Sequence, residues 1–331
     1  MSDSSQSFDF HTAEVAIQAD GQVEETKKIK FCDDKVLYIY APLSDEKTIS
    51  RVMDKTGIDY RLNDYRAGIW SAKHQLCYFR FPALNSFQKL LLQDAVQQQA
   101  TVSPLNEYFE SGFGWIEIDL LDPEQLVSMD DRALKAGRHQ WHLRVLSGKA
   151  FALSALVFAL PLVFLVALSI KLDSKGPVFF RQLRTGLYNR EFKIIKFRSM
   201  TQDAEKNGAK WAAVNDVRIT RIGRFLRKTR LDELPQLINV LKGDMAIIGP
   251  RPEREVFIRQ LEGEVPFYRF RHLVKPGITG LAQVSHGYGA SVEDAKEKHR
   301  HDLYYIKHQS LRLDLKILLK TLHIVLTGKG T

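Results

Sequence analysis

The sequence predicts an α/β N-terminal domain followed by a mostly α-helical, membrane-associated domain with short strands and a re-entrant, proline-kinked membrane helix. Three observations carry that expectation. Residues 35–126 alternate strand-like and helix-like segments, the 21 residues from Ala150 to Ile170 hold no charged side chain, and charge is divided unevenly. Residues 1–140 contain 15 Lys and Arg against 22 Asp and Glu, whereas residues 141–331 contain 33 against 17. A mildly acidic half joined to a strongly basic one confines contact with phosphates or an anionic membrane face to the second half.

Residues 1–30 are rich in Ser, Gln and acids and lack an apolar core, so they read as a disordered tail, neither signal nor transit peptide. Residues 31–126 form the small α/β domain. Val36–Tyr40 and Leu76–Phe81 are β-branched and aromatic strands, and Trp115–Leu120 alternates as a third. Asp45–Lys55 has helical spacing with Ser44 as N-cap, and Ser86–Gln99 reads as an amphipathic helix with Phe87, Leu90, Leu91 and Val96 on one face. No phosphate-cradling glycine loop or nucleophile constellation occurs here, which leaves homo-oligomerisation or regulation as the expected role. Cys32 and Cys77 lack metal-ligand spacing and fit free thiols in a reducing cytosol.

Residues 127–148 read as a linking helix and 149–171 as a membrane helix. A helix of 21 residues rises roughly 31 Å, about one hydrocarbon core. Pro161 falls at its middle, where it removes a backbone hydrogen bond and bends the helix. Arg138, Arg144 and Lys149 precede the run, and Lys171, Lys175, Arg181 and Arg184 follow it. Because basic flanks favour the cytoplasm, a helix that enters, bends at Pro161 and returns suits both ends better than a single span.

Residues 172–331 make the second domain. After the turn Asp173–Pro177, Val178–Gln182 and Phe192–Arg198 read as strands, the latter alternating so that Lys196 and Arg198 share a face. Residues 203–216 are polar and read as a mobile loop, and Ile219–Arg230 is helical in pattern. Pro235 suits the first turn of a helix from Leu234 to Lys242 ended by Gly243, with Asp232 and Glu233 at its N-terminus. Ala246–Ile248 is a short buried run delivering Gly249–Pro252, whose prolines restrict Arg251. Leu311–Leu326 is a basic amphipathic helix that suits either a headgroup plane or the domain core.

Two adjacent carboxylates among Arg218, Arg221, Arg224, Arg227, Lys228, Arg230, Arg251 and Arg254 are the chemical focus. Such cations hold both acids ionised and attract polyanions, and a carboxylate approaching a phosphate needs that neutralisation. This is a candidate phosphoryl-transfer site. His286, His299, His301 and His308 fit no metal-ligand spacing and read as polar surface or loop residues. A non-enzymatic scaffold binding anionic lipid through the basic half is the alternative, but it needs no carboxylate inside its cations.

From about Arg144 onward the chain resembles the bacterial sugar transferases that prime glycan assembly on a polyprenyl phosphate, the monotopic phosphoglycosyl transferases, in their exopolysaccharide-type branch. The matching pieces are Lys171–Gln182, Lys196–Met200, Leu231–Met245, Gly249–Pro252 and Lys275–Gln283. Family members usually carry Ser before the kinking proline, where Leu160 stands here, and an acid near the hairpin's start, where Gly148 stands. The resemblance implies a Mg²⁺-dependent enzyme on the cytoplasmic face of the bacterial inner membrane, among its lipids. Its substrates would be a UDP-sugar, UDP-glucose as the first choice, and undecaprenyl phosphate, with no nucleic-acid partner. It implies Asp232 as covalent nucleophile and metal ligand, Glu233 assisting it, and Lys196, Arg227, Arg251 and, less directly, Arg198 contacting phosphates. Gln283, His286 and Tyr288, in a Gly-rich segment, are expected near the nucleotide or sugar.

Overall fold

Alternation of strand and helix signals in the first third of the chain does build a parallel sheet in the computed structural model. The structure describes residues 12–14, 28–31, 35–65, 68–121, 123–204, 206, 208, 216–287, 289 and 291–327, with only the backbone course for 12–14, 28–31 and 123–141. The chain divides into two compact units, Met1–Asp122 and Pro123–Thr331.

The first unit contains β1 (Thr12–Glu14), β2 (Lys28–Phe31), β3 (Leu37–Tyr40), α1 (Glu46–Asp54), β4 (Tyr60–Leu62), β5 (Gly68–Ile69), β6 (Gln75–Tyr78), α2 (Ser86–Gln97), β7 (Thr101–Pro104) and α3 (Leu105–Phe113). Four strands pair in the order β4-β3-β6-β7, all parallel, because each neighbouring connection crosses over through other elements. Strand β3 is buried along its whole length. Leu37 and Ile39 face a core with Ile49, Met53, Leu105 and Phe109, while Tyr38 and Tyr40 face another with Trp70, Leu92 and Ala95. Within the expected tail, β1 pairs antiparallel with β2; the rest of 1–30, and Cys32, lie outside the described residues. Cys77 is a buried free thiol.

Three local expectations for this unit need correction. Helix α2 does not bury Phe87, Leu90 and Val96, which are exposed, but Gln88, Leu92 and Ala95. The reason is polar: Asn85 and Gln88 form a capping box, and the Gln88 amide donates to Ala41 O and Asn63 Oδ1, both at 2.8 Å. Trp115–Leu120 forms no strand; Ile118–Leu120 is a 3₁₀ turn, and Ile116, Ile118 and Leu120 are buried without joining a sheet. Ser44 lies in a 3₁₀ turn, and Asp45 stands at the N-cap of α1 without a side-chain capping bond.

The second unit opens with α4 (Pro123–Asp173), 51 residues that include both the expected linking and membrane helices and run helically through Pro161. Its His142–Asp173 portion is long and apolar enough to cross a membrane. Along that portion Ala152, Ala155 and Leu156 pack against Leu237, Val240 and Met245, and Val163, Val166 and Ile170 against Phe197, Leu226 and Leu234. Phe151, Val157, Phe158, Phe164 and Leu165 remain exposed.

An antiparallel hairpin follows, β8 (Phe179–Thr185) with β9 (Glu191–Phe197). Then come α5 (Arg221–Lys228), α6 (Leu237–Lys242), β10 (Ala246–Ile248), α7 (Glu255–Glu262), β11 (Gly277–Thr279), α8 (Leu281–Ser285), α9 (Val292–Lys307) and α10 (Leu311–Thr327). Strands β10 and β11 are parallel, with Ala246 opposite Gly277. Most of 203–216, the expected loop, lies outside the described residues. On α10, Leu315, Leu319, Leu322 and Leu326 are exposed, whereas Ile317 and Asp314 turn inward, Asp314 to Arg144 at 3.0 Å. The apolar row therefore fits an interface rather than the domain core.

Candidate active site

The acid pair sits in a 3₁₀ turn, Leu231–Gln236, and not at the first turn of an α-helix from Leu234; α6 begins only at Leu237. Pro235 has no N–H to give the turn, and Arg230 enters it in the left-handed region at φ 58°. Gly243, at φ 90°, then ends α6 as expected.

Strand β9 is held against this segment by Asn239 of α6. Its Oδ1 accepts from Ile195 N at 3.0 Å and its Nδ2 donates to Lys193 O at 2.8 Å. One buried amide thus satisfies the free edge of a two-stranded sheet as another strand would. That fixes where Lys196 emerges. On the other side, Gly249 allows a close backbone approach: a Cβ there would lie 2.3 Å from Lys275 O. The chain then turns through Pro250 into Arg251.

These elements converge on Glu233. Its Oε1 accepts from Lys196 Nζ at 3.2 Å and from Arg251 Nη2 at 2.6 Å. Burial alone would raise the Glu233 carboxyl, but Arg251, Lys196 and Arg230 overcome it and hold the group well below the usual range. Burial also lowers Lys196, against the pull of Glu233, while Glu233 raises Arg251.

Asp232 differs. It is 8 % exposed, and its Oδ1 is buried with no hydrogen-bond partner among the described residues. Burial, reinforced by Glu233, pushes its carboxyl up to about 6, and Lys196, Arg251 and Arg227 do not offset that. The expectation that both acids are ionised stands at neutral pH, but unevenly: Glu233 is held far into the ionised range, whereas desolvation and the neighbouring charge bring Asp232 to about 6. A more basic carboxylate with an oxygen that accepts no hydrogen bond among the described residues is chemically suited to attack or to bind a metal.

Other expected residues divide. Arg227 lies in the last turn of α5, half-buried, near enough to lower Asp232 electrostatically. Arg198 is committed elsewhere, donating to Lys175 O and Ser174 O, each at 2.7 Å, so it anchors the turn after α4. Gln283 of α8 donates to Ile278 O at 3.0 Å, and His286 contacts Asp294 Oδ1 at 3.1 Å. Tyr288 lies outside the described residues. His299 is no surface residue: it is fully buried beside Tyr268, and burial, with Arg271 close by, pushes it down to about 3. Sequence reasoning missed Asn239, Arg184, which acts electrostatically on Lys196, and the Arg271–Asp302 ion pair at 2.8 Å. Asn239 lay inside a quoted motif, but only the fold reveals the strand it serves.

No group of three or more His, Cys, Asp or Glu among the described residues is arranged to hold a metal. Mg²⁺ commonly takes one or two protein carboxylates and completes its shell with substrate phosphates and water. The Oδ1 of Asp232, buried and without a hydrogen-bond partner among the described residues, is the carboxylate oxygen left for that mode, whereas Glu233 is engaged by two cations.

A buried acid pair among cations, in a unit that carries one helix long and apolar enough to cross a membrane, suits a membrane-associated class of phosphate chemistry, and sequence comparison specifies the family. The profile described as "Bacterial sugar transferase" matches residues 139–328, and the chain belongs to that family. It is 46% identical over 226 residues to a UDP-N-acetylgalactosamine-undecaprenyl-phosphate N-acetylgalactosaminephosphotransferase of Aeromonas hydrophila, covering 68% of this chain and 52% of that one. It is 46% identical over 189 residues to a UDP-glucose:undecaprenyl-phosphate glucose-1-phosphate transferase of Xanthomonas campestris pv. campestris, covering 56% and 39%. An exopolysaccharide production protein of Rhizobium leguminosarum bv. phaseoli is 45% identical over 187 residues, covering 54% and 93%. The chain spans about half or less of the first two relatives' length.

Proposed function

We propose that this chain transfers a sugar 1-phosphate from a UDP-sugar to undecaprenyl phosphate and releases UMP. The observation that carries the reading is the asymmetry of the acid pair: Glu233 is pinned by Lys196 and Arg251, while Asp232 keeps a buried oxygen without a partner among the described residues. In the first step an Asp232 oxygen attacks the β-phosphorus, the bond from that phosphorus to the bridging oxygen breaks, and UMP leaves. In the second, an oxygen of undecaprenyl phosphate attacks the same phosphorus and frees the carboxylate. Two in-line displacements give ping-pong kinetics.

Lys196, Arg251 and Arg227 offset the charge that otherwise repels a carboxylate from a diphosphate. Glu233 holds two of these cations in place and orders the turn that carries Asp232. Mg²⁺, held by Asp232 and the substrate's phosphates, would supply further neutralisation of the leaving phosphate. A lipid-binding scaffold has no use for a partnerless carboxylate inside its basic cluster, which speaks against that alternative.

The reading places the chain at the cytoplasmic face of the inner membrane, with His142–Asp173 re-entrant at Pro161. Residues near both ends of the apolar stretch, Ala152 and Ile170, pack on the same body, which favours both ends on one side of the bilayer. Cysteine labelling from the periplasm should miss both flanks; labelling at the N-terminal flank would overturn the hairpin. Homo-oligomerisation through the first unit is a further expectation, checked by the mass of the detergent-solubilised full chain.

Glucose is the proposed sugar, because two relatives' names specify UDP-glucose or exopolysaccharide production. N-acetylgalactosamine is the competing reading, since the Aeromonas relative aligns over more of this chain. Incubation with each UDP-sugar, Mg²⁺ and undecaprenyl phosphate decides between them by UMP release. UDP release in its place, or no product from any UDP-sugar, would sink the assignment.

A further inference from the structure

Behind Arg251 lies a buried ion pair that touches neither acid of the site. Arg271, from the 3₁₀ turn Tyr268–Leu273, and Asp302, from α9, are 4 % and 1 % exposed and meet at 2.8 Å. The same Arg271 Nη2 donates to the main-chain carbonyl of Arg251 at 3.1 Å, and Nη1 donates to the Tyr268 hydroxyl. Arg271 therefore spends its fork on a backbone oxygen, a phenol and a carboxylate, all inside the fold.

The geometry points to Arg271 and Asp302 as positioning residues: they fix the Arg251 carbonyl, and through it the direction in which the Arg251 guanidinium reaches Glu233. This rests on the function proposed above. Three observations support it. Arg251 follows Gly249 and Pro250 and precedes Pro252, so restricted backbone on both sides transmits a fixed carbonyl to the side chain. Its side chain is 35% exposed, less enclosed than Glu233 at 9%, so packing around the guanidinium leaves it partly open. A buried ion pair contributes little net stability against a well-packed apolar replacement, because desolvation offsets the attraction. An orienting role gives the pair a reason to be kept.

The test is a cycle on the full-length protein in lipid nanodiscs, reading UMP release. Asp302→Asn keeps the shape but not the charge, and Arg271→Lys keeps the charge but loses the fork to the Arg251 carbonyl. Because a misplacement of about 1 Å costs on the order of 100-fold, each should lower kcat by about tenfold to about 100-fold, with KM for the UDP-sugar within about twofold. In an Arg251→Lys background, Asp302→Asn should add less than about twofold. A purely structural pair predicts the opposite: losses that follow the melting temperature, and an undiminished Asp302→Asn effect in the Arg251→Lys background. Either result overturns the proposal.

A second readout does not need turnover. The ¹⁵N side-chain resonance of Arg251 should be sharp in the wild type and broadened or lost in Asp302→Asn; an unchanged resonance overturns the positioning role. Wild-type protein silent toward every UDP-sugar would remove the functional reading, and the resonance would still decide this one.

Discussion

Each unit buries a polar cluster, and the two clusters are built on different terms. In the first, Asn63 and Gln88 share their amides with each other and with Ala41: Asn63 Oδ1 accepts from Ala41 N, Asn63 Nδ2 donates to Ala41 O, and Gln88 Nε2 donates to both Ala41 O and Asn63 Oδ1. Apart from Glu46 Oε1, which accepts from Asn63 Nδ2 at 2.7 Å, these are neutral groups with partners, and they lock α2 to the ends of β3 and β4. In the second, two adjacent acids sit in one turn among several cations. One acid is tied by two of them, and the other keeps an oxygen without a partner among the described residues. A buried group that is satisfied holds a fold together; one left unsatisfied costs stability, and beside a cluster of cations it is a candidate for chemistry.

The sharpest way to break that contrast is Asp232→Asn. If Asp232 is the attacking group, turnover falls on the order of 10⁴-fold or more. Stability should move the other way. A folded-state carboxyl raised from 3.8 to about 6 means that the ionised form disfavours folding above that pH. Removing the charge should therefore stabilise the protein at pH 7 by on the order of 3 kcal/mol. Thermal melts and UMP release on one preparation check both; an inactive variant that is also less stable would contradict the account of a strained nucleophile. Glu233→Gln should behave in the reverse sense. It leaves Lys196 and Arg251 without their shared anion, costing about 3 kcal/mol of stability, and activity falls because both cations lose their anchor. A variant as stable as the wild type would show that the pair of contacts orders nothing.

How much of this was legible in the sequence follows the same physics. The adjacent Asp232 and Glu233 and the distant Lys196 and Arg251 stood out through their charges and motif context, and the fold brings Glu233, Lys196 and Arg251 into contact beside Asp232. Arg198 shared the alternation and the charge of Lys196, but it lies just past the end of β9, where carbonyls of the turn after α4 capture it. Charge pattern identifies a cation; it does not say which oxygen claims it. The buried face of α2 was misread because apolar periodicity outvoted Gln88, whose burial only its partners at Ala41 and Asn63 make affordable. Trp115–Leu120 alternated like a strand, but it buries Ile116, Ile118 and Leu120 in part through a 3₁₀ turn, not through a sheet ladder. Asn239, Arg271 and Asp302 were invisible for a common reason: each acts on backbone or charge brought in from a distant segment. The exposed apolar row of α10, by contrast, was readable as a row, and only its surroundings remained open.

Two amide deletions sharpen the comparison at smaller amplitude. Asn239→Ala strips Ile195 N and Lys193 O of their partner, and Gln88→Ala removes the donor to Ala41 O and Asn63 Oδ1. Each should cost about 2 kcal/mol, the usual penalty for leaving buried polar groups unmet. The difference should appear in turnover: Asn239→Ala displaces Lys196 and lowers kcat, while Gln88→Ala leaves kcat of the folded fraction unchanged. Equal losses of kcat would mean that the first unit's polar cluster is coupled to the chemistry.

The smallest effect is one of pH, and it separates the clusters by kind. Amides carry no proton to gain across the physiological range, so the Asn63–Gln88 arrangement itself contributes no slope. Asp232 does. As pH falls through about 6 it protonates, and if it is the attacking group kcat/KM of the wild type should drop tenfold for each further unit. Over the same interval its contribution to stability should rise, because the folded state binds that proton more tightly than the unfolded chain, and the gain should level off below 3.8. Glu233, held low by Arg251 and Lys196 despite its burial, stays ionised throughout and adds no inflection there. Melting curves of the wild type and Asp232→Asn at pH 5 and pH 7 isolate the term: the advantage of the variant should shrink at the lower pH. An advantage that stayed constant would mean that Asp232 does not titrate near 6, and the picture of a desolvated nucleophile beside a pinned neighbour would have to be abandoned.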